Sequence, residues 1–306
     1  MELYLNSCGV ISGSYNDIVS GKRLCKEPDY SSYIQPMQLR RMSKAVRIGI
    51  GASRMCMANA GIEKPDAISI GTAMGCLTDT EVFLSKMVEQ DEQMLTPTAF
   101  IQSTHNTVSG QIALLTGCYG HNLTFVQRGH SFEHALINAQ LYLDEHHDEV
   151  VLVGGIDELT ENSYKAFRQG GVYTDELIAG EGAAFFTATS KLSSAQALCI
   201  RAIDCFVAYH ADEALDRVVA FKTKNEIAGA HILLSGRDIV TNVFYNAVKG
   251  ILDITKECEF KSLCGEYPTA TSFAVSMLFD AFGEDKKIVL VNHFKQYYTC
   301  MYIERN

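Results

Sequence analysis

The sequence predicts an α/β protein of two pseudo-repeated αβ halves, with mostly parallel sheets between helical layers, and three observations carry that reading. Short apolar runs alternate with stretches of helical periodicity along most of the chain. KIVLVN at 287–292 echoes VVLVGG at 150–155, and the closing run 298–304 echoes 182–189. TFVQRGHSFEHAL at 124–136 passes from a β-branched and aromatic run, through a glycine, straight into helical periodicity. That is the outline of a strand-to-helix elbow, which presents one side chain above a sheet and at a helix N-terminus.

Residues 3–11 alternate as a first strand, and a polar, turn-rich stretch follows to Pro36. The spacing of Met42, Val46, Ile50, Met55 and Ala58 predicts a helix over 39–60, closed by Gly61 with Pro65 just beyond. A buried strand over 67–71 runs into the flexible turn GTAMG at 71–75, and a helix over 79–90 follows. The stretch 97–117 carries a helix over 106–115. Next come a strand at 123–127, the elbow, a helix over 130–146, and a strand at 149–153 ending in Gly154 and Gly155. Residues 182–189 read as another strand. The second half repeats this order more weakly, with helices over 240–250 and 271–282 ahead of strands at 287–292 and 298–304. A boundary near 190 divides the chain into 1–190 and 191–306, and the absence of a low-complexity linker predicts one shared packed interface.

A chain of 306 residues is long enough for two modest domains or one large one with a real core. Its 47% hydrophobic and 20% charged residues are those of an ordinary globular protein. No apolar run approaches the roughly 18 residues of a membrane span. The start, MELYLNSC, lacks a basic segment followed by an apolar one, so the expectation is a cytoplasmic protein without membrane attachment. A net charge of −10 argues against nucleic-acid binding. The one local basic cluster, Arg40, Arg41, Lys44 and Arg47, reads either as a solvated helix face or as a place for an acidic partner. Ten scattered cysteines, with no C-x-x-C pair and no histidines at ligand spacing, read as reduced, buried small side chains, with no metal expected. The glycine-rich segments at 71–75 and 180–182 match neither nucleotide-binding pattern, and no cofactor is expected.

Several short motifs then fall in a telling order. GTAMGCLTDTE at 71–81, NTVSGQIA at 106–113, GHNLT at 120–124, VGG at 153–155 and GEGA at 180–183 stand in sequence around the elbow. They resemble the G-T-x-x-G-G, N-x-x-A-G-x-I-A and G-P-N-x-T segments of the thiolase-fold β-ketoacyl-ACP synthases, over roughly 45–190. The resemblance implies a thiolase-like fold and a chemistry with three parts. A thiolate at the elbow accepts the acyl group. Two histidines then stabilise the enolate formed as a malonyl unit loses CO2.

Aligned on Leu123, Thr124, His134 and Ala135, the resemblance puts Gly129 at the nucleophile position, followed by His130. KSLCGE at 261–266 resembles the family's K-S-x-x-G-H, with Glu266 in place of a histidine whose role an anion would oppose. SGRDIVTN at 235–242 stands where H-G-T-x-T is expected and contains no histidine, and HFKQYY at 293–298 replaces the closing G-F-G-G-T-N loop. The chain is also shorter than is usual for the family, so the second half reads as shortened.

The resemblance therefore implies a degenerate synthase with no confident catalytic residue, similar to the chain length factor that pairs with an active ketosynthase in fatty-acid, polyketide or aryl-polyene elongation. It further implies a dimer contact along Leu123, Thr124, Phe125, Val126 and Gln127. The partner is an active ketosynthase subunit in a heterodimer or a second copy in a homodimer, with an acyl carrier protein as a possible visitor. Gln127, Gly129, His130, Cys76 and Asn106 are the pocket candidates. His130 reads as a base or as a ring held at a helix N-terminus, His105 chiefly as a satisfied hydrogen-bonding residue, Cys76 chiefly as a buried packing residue, and Gln127 equally as strand packing. Two alternatives stand beside this reading: an independent decarboxylase or acyl thioester hydrolase using His130 and Glu266, and a homodimeric acyl-binding protein.

Overall fold

The computed structural model describes residues 2–13, 18–19, 21–175, 177–193, 196–237, 241–280 and 286–305. Ten strands form one sheet: β1 (Leu3–Ser12), β4 (Ala67–Gly71), β5 (Asn122–Phe125), β6 (Val151–Asp157), β8 (Gly182–Thr189), β9 (Leu198–Val207), β10 (Ile232–Ser235), β11 (Lys256–Glu259), β12 (Lys287–Phe294) and β13 (Tyr297–Arg305). Their order is β11-β10-β12-β13-β9-β1-β8-β6-β4-β5. Read outward from the centre, β1-β8-β6-β4-β5 and β9-β13-β12-β10-β11 are the same topology twice. The echoes of 150–155 in 287–292 and of 182–189 in 298–304 fall on equivalent strands. A small separate sheet joins β2 (Ile18–Val19), β3 (Lys22–Arg23) and β7 (Ala179–Gly180).

The expected parallel pairing holds in the two wings, β6-β4-β5 and β12-β10-β11, whereas the five central pairings are antiparallel. The connections explain the difference. Parallel neighbours require a crossover, and β10 reaches β11 through α9 (Asn242–Leu252). Strands β12 and β13 are joined by two residues only, which antiparallel strands alone permit.

Helices cover both faces. A middle layer of α6 (Ser131–Glu145) and α11 (Ala270–Ser276) buries Phe132, Leu136 and Ala139, with Ala270, Ala274 and Val275, against strands of both five-strand sets. The opposite face of the first set is covered by α2 (Lys44–Ala60) and α5 (Thr107–Thr116), and that of the second by α8 (Ala211–Lys224) and α9. The remaining helices α1 (Pro36–Leu39), α3 (Leu77–Glu89), α4 (Pro97–Gln102), α7 (Glu161–Gln169) and α10 (Lys261–Cys264) lie in the connections.

The single helix expected over 39–60 is two. Arg40–Ser43 interrupt it, because Ser43 is extended and serves as the N-cap of α2. Val46 and Ile50 are buried as their spacing requires, but Ala58 is exposed, and Cys56 and Met57 close the buried face instead. Gly61 ends α2 in the left-handed conformation at φ 68°, its N–H reaching the carbonyls of Met57 and Ala58. The helix expected over 271–282 is α11 followed by a 3-10 turn at Met277–Phe279, and residues 281–282 lie outside the described ones. The basic cluster splits. Lys44 and Arg47 are consumed by Glu181 and Glu27, while Arg40 and Arg41 stay exposed.

Candidate functional site at the strand-to-helix elbow

The turn between β5 and α6 is the elbow that the sequence predicts, and its conformational strain sits one residue before Gly129. Arg128 is left-handed at φ 54°, a conformation that costs a non-glycine residue of order 1 kcal/mol and is held only where surroundings fix it. Ser131 fixes it: its hydroxyl donates to the Arg128 carbonyl at 2.8 Å and accepts the Gln127 N–H at 2.9 Å. The hydroxyl is fully buried and occupied with closing the turn.

Gly129 is buried beneath the tip of the β12–β13 hairpin. A Cβ placed on it would stand 2.8 Å from Phe294 Cβ and 3.0 Å from Tyr297 Cβ, closer than packed carbons approach. His130, at the N-cap of α6, donates from Nε2 to the Tyr298 carbonyl at 3.0 Å and sets its ring edge-on to Tyr297, 5.3 Å between centroids. A carbonyl only accepts, so the proton is on Nε2. Burial is the main influence on His130 and pushes its pKa down, which keeps the ring neutral at neutral pH. His134, one turn on, is likewise shifted down by burial.

Glu266 lies in a different environment. Its carboxylate pairs with Lys261 Nζ at 2.6 Å, and both side chains are almost fully buried. The same ammonium donates to the His293 carbonyl at 2.5 Å. The Glu266 N–H donates to the Ile178 carbonyl and its carbonyl accepts from the Gly180 N–H, on and beside β7 of the small sheet. That approach needs two glycines, because a Cβ on Gly265, itself left-handed at φ 83°, would lie 2.7 Å from Gly180 Cα. His130 and Glu266, which the rearranged-enzyme alternative would pair, are thus each engaged elsewhere. Residues 238–240 of the 235–242 segment lie outside the described ones. Arg237 in that segment forms a buried bidentate pair with Glu257 at 2.7 and 3.0 Å.

The remaining pocket candidates are not gathered at the elbow turn. Cys76 is buried at the start of α3, and burial, with the nearby Glu158 and Asp79, pushes its thiol up to about 12. Asn106 is exposed at the start of α5, where its side chain caps nothing. The α5 helix is tied to β5 by Ser109, whose hydroxyl meets Thr124 Oγ1 at 2.9 Å and whose carbonyl accepts from Asn122 Nδ2 at 3.2 Å. Gln127 and Arg128 are exposed beside β5, and Arg128 donates to Tyr297 Oη at 3.2 Å.

Two buried acids around this site are absent from the sequence reading. Asp157 accepts four bonds, from the Thr72 hydroxyl, the Ala73 and Met74 N–H groups and the Thr269 hydroxyl, at 2.9–3.1 Å. Burial still dominates and raises its pKa to about 6. Glu133 accepts from the Thr271 hydroxyl at 2.7 Å, while its Oε2 is buried without a well-formed hydrogen bond, and burial pushes it up to about 7. No spacing rule marks either one, since a helix-borne Glu ordinarily reads as a surface residue. Among the described residues no group of three His, Cys, Asp or Glu is placed to hold a metal ion, and no helix is long and apolar enough to cross a membrane.

No match is found among curated proteins. Among solved structures the chain is similar to a type II polyketide acyl carrier protein in complex with its ketosynthase bound to the hexaketide (TM-score 0.79, 14% identity, 99% of each chain covered). It is also similar to the ishigamide ketosynthase/chain length factor (0.79, 12%, 100% of this chain and 99% of that one). A third is a ketosynthase in complex with its chain length factor from Xenorhabdus doucetiae (0.71, 14%, 100% and 98%). Identities this low show the fold, which is the thiolase-like α/β arrangement of ketosynthases. The family model of the β-ketoacyl synthase N-terminal domain matches residues 22–219, well over half of the sequence, and to that family the chain belongs.

Proposed function

We propose that this chain is a non-catalytic, chain-length-factor-like partner of an active β-ketoacyl-ACP synthase. The observation that carries the reading is the elbow. The strand, the tight turn and the helix are kept, but the residue presented is Gly129, buried under Phe294 and Tyr297. A glycine cannot form the thioester on which condensation depends. Neither the neutral His130, bonded to a backbone carbonyl, nor Ser131, bonded within the turn, is free to replace it.

What remains for such a fold to offer is a surface. β5 is an edge strand of the sheet that ends at Phe125, two residues short of the strand expected over 123–127; Leu123 within it and Val126 just after it are 44% and 40% exposed, with Leu114 and Tyr119 nearby in sequence at 66% and 82%. An apolar edge with unpaired backbone groups is a liability unless another chain covers it. Leu123, Thr124, Phe125, Val126 and Gln127 are the contact we assign, with a ketosynthase as the covering chain and an acyl carrier protein as a visitor to the complex. The ketosynthase and chain length factor pairs among the similar structures support that choice.

The test is co-purification of a tagged form with co-expressed active β-ketoacyl-ACP synthases, followed by elongation assays with and without this chain. A stable one-to-one complex that elongates only when both chains are present is the expected result. Strict self-association that never exchanges for the ketosynthase would instead make the chain a homodimeric acyl-binding protein. Turnover of acyl or malonyl thioesters by this chain alone, lost in His130→Ala, would restore the enzyme reading.

A further inference from the structure

The missing nucleophile and the missing space at residue 129 are separate facts. Gly129 is not in the left-handed region, so its backbone accepts any L-residue, and what a side chain would meet there is purely steric. The obstructing atoms are the β-carbons of Phe294 and Tyr297. A β-carbon is one bond from the backbone and cannot swing aside as the tip of a long side chain can. The two residues face each other across the β12–β13 register, and Lys295 and Gln296 form the tip between them. The hairpin is held from several directions: Lys261 Nζ on the His293 carbonyl, His130 Nε2 on the Tyr298 carbonyl, and the Ala208 N–H on the Gln296 carbonyl at 3.0 Å. Phe294 is itself 7% exposed, its ring packed inside.

We propose that the β12–β13 hairpin is a built-in plug, in which Phe294 and Tyr297 exclude any side chain, and therefore any acyl adduct, from the elbow. Restoring a cysteine at 129 does not by itself restore acyl transfer, because the thiol has no room and no access. The inference deepens the non-catalytic reading but rests on contacts within this chain, so its test needs no partner and can fail while the partner role survives, or the reverse.

The experiment is a thermal-unfolding cycle on the full chain with Gly129→Ala, Phe294→Gly and the double variant. Overpacking of this kind predicts that Gly129→Ala lowers Tm by about 5 °C, and that the same change in the Phe294→Gly background lowers it by less than half as much. Equal losses in both backgrounds, or no loss in either, would overturn the plug. Tyr297→Gly provides the same relief from the other side if Phe294→Gly does not fold. Gly129→Cys then gives a chemical readout with iodoacetamide under native conditions, followed on the peptide that contains residue 129. The thiolate sulfur forms a bond to the methylene carbon, the carbon–iodine bond breaks, iodide leaves, and the thiol proton passes to buffer. Cys-containing protein with the hairpin intact should label at least tenfold more slowly than Gly129→Cys with Phe294→Gly or Tyr297→Gly. Equal, fast labelling with and without the hairpin residues refutes the proposal, and a Gly129→Cys chain that folds and labels only with the relieving substitution supports it.

Discussion

Glu133 sits at the third position of α6, wholly buried, and its pKa of about 7 follows from the loss of water around a carboxylate that only the Thr271 hydroxyl clearly bonds. The folded state therefore holds this proton more tightly than the unfolded chain, where the group titrates near its ordinary 4.5. Its contribution favours the fold fully below about 4.5, declines as pH rises towards 7, and is lost above that. Glu133→Gln removes the titration and keeps the acceptor for Thr271. The variant should gain stability relative to the parent as pH goes from 5 to 8, by on the order of 3 kcal/mol, read as the difference between urea midpoints. A parent and variant whose curves run parallel would show Glu133 to be solvated. Asp157, raised in the same direction, adds a slope common to both proteins and cancels from the difference. The Lys261–Glu266 pair makes the opposite kind of prediction. Lys261→Met leaves a carboxylate buried without its cation and should cost about 3–5 kcal/mol, part of which Glu266→Gln on top of it recovers. Gly129 and Glu266 were legible as departures because short motifs flank them. Their surroundings were not, since Phe294 and Tyr297 approach Gly129 from the far end of the chain and no local pattern encodes that contact.

Elements were legible where burial is two-sided or capping is strong. β4 and β6 are continuous apolar runs because helices cover both their faces, and α2 ends where Gly61 supplies the left-handed turn. β11 shows the limit: Lys256, Glu257, Cys258 and Glu259 carry no apolar alternation, because this strand is the opposite edge of the sheet and its charges face solvent and Arg237. The break at 40–43 contains neither Pro nor Gly, so nothing in the periodicity marks it. The contrast between the two edges is also the basis of a test. β11 is protected by charge, as edge strands commonly are, whereas β5 exposes Leu123 and is followed at once by the exposed Val126. Leu123→Lys with Val126→Lys should leave stability within about 1 kcal/mol of the parent and weaken association through β5 at least tenfold, measured by sedimentation of the complex. Association that is indifferent to both lysines would move the interface elsewhere.

Across the whole molecule the duplicated topology raises the question of whether the two sets of five strands are independent. Several bonds tie them. β1 pairs with β9 through Leu3–Leu5 and Leu198–Ile200. Thr269 and Thr271 at the start of α11 donate to the buried Asp157 of β6 and Glu133 of α6, the guanidinium of Arg23 bonds the Ser262 carbonyl, and the Glu266 backbone donates to the Ile178 carbonyl and accepts from the Gly180 N–H. The middle layer matters more than any one of these. α6 and α11 bury one common cluster against both sets, so separating them would expose apolar side chains such as Phe132, Leu136, Ala274 and Val275 at about 25 cal/mol for every Å² uncovered. Asp157 would lose the Thr269 hydroxyl and Glu133 the Thr271 hydroxyl in the same step. Neither set can therefore open without destabilising the other, despite a sequence that reads as two halves. Unfolding should be a single transition, with hydrogen exchange in β4 and in β12 reporting the same midpoint in urea. A fragment of residues 1–190 expressed alone should lack a cooperative transition. If that fragment were monomeric and unfolded sharply, or if β12 exchanged well before β4, the middle layer would be two separate cores in contact, and the coupling assigned here to Thr269 and Thr271 would be absent.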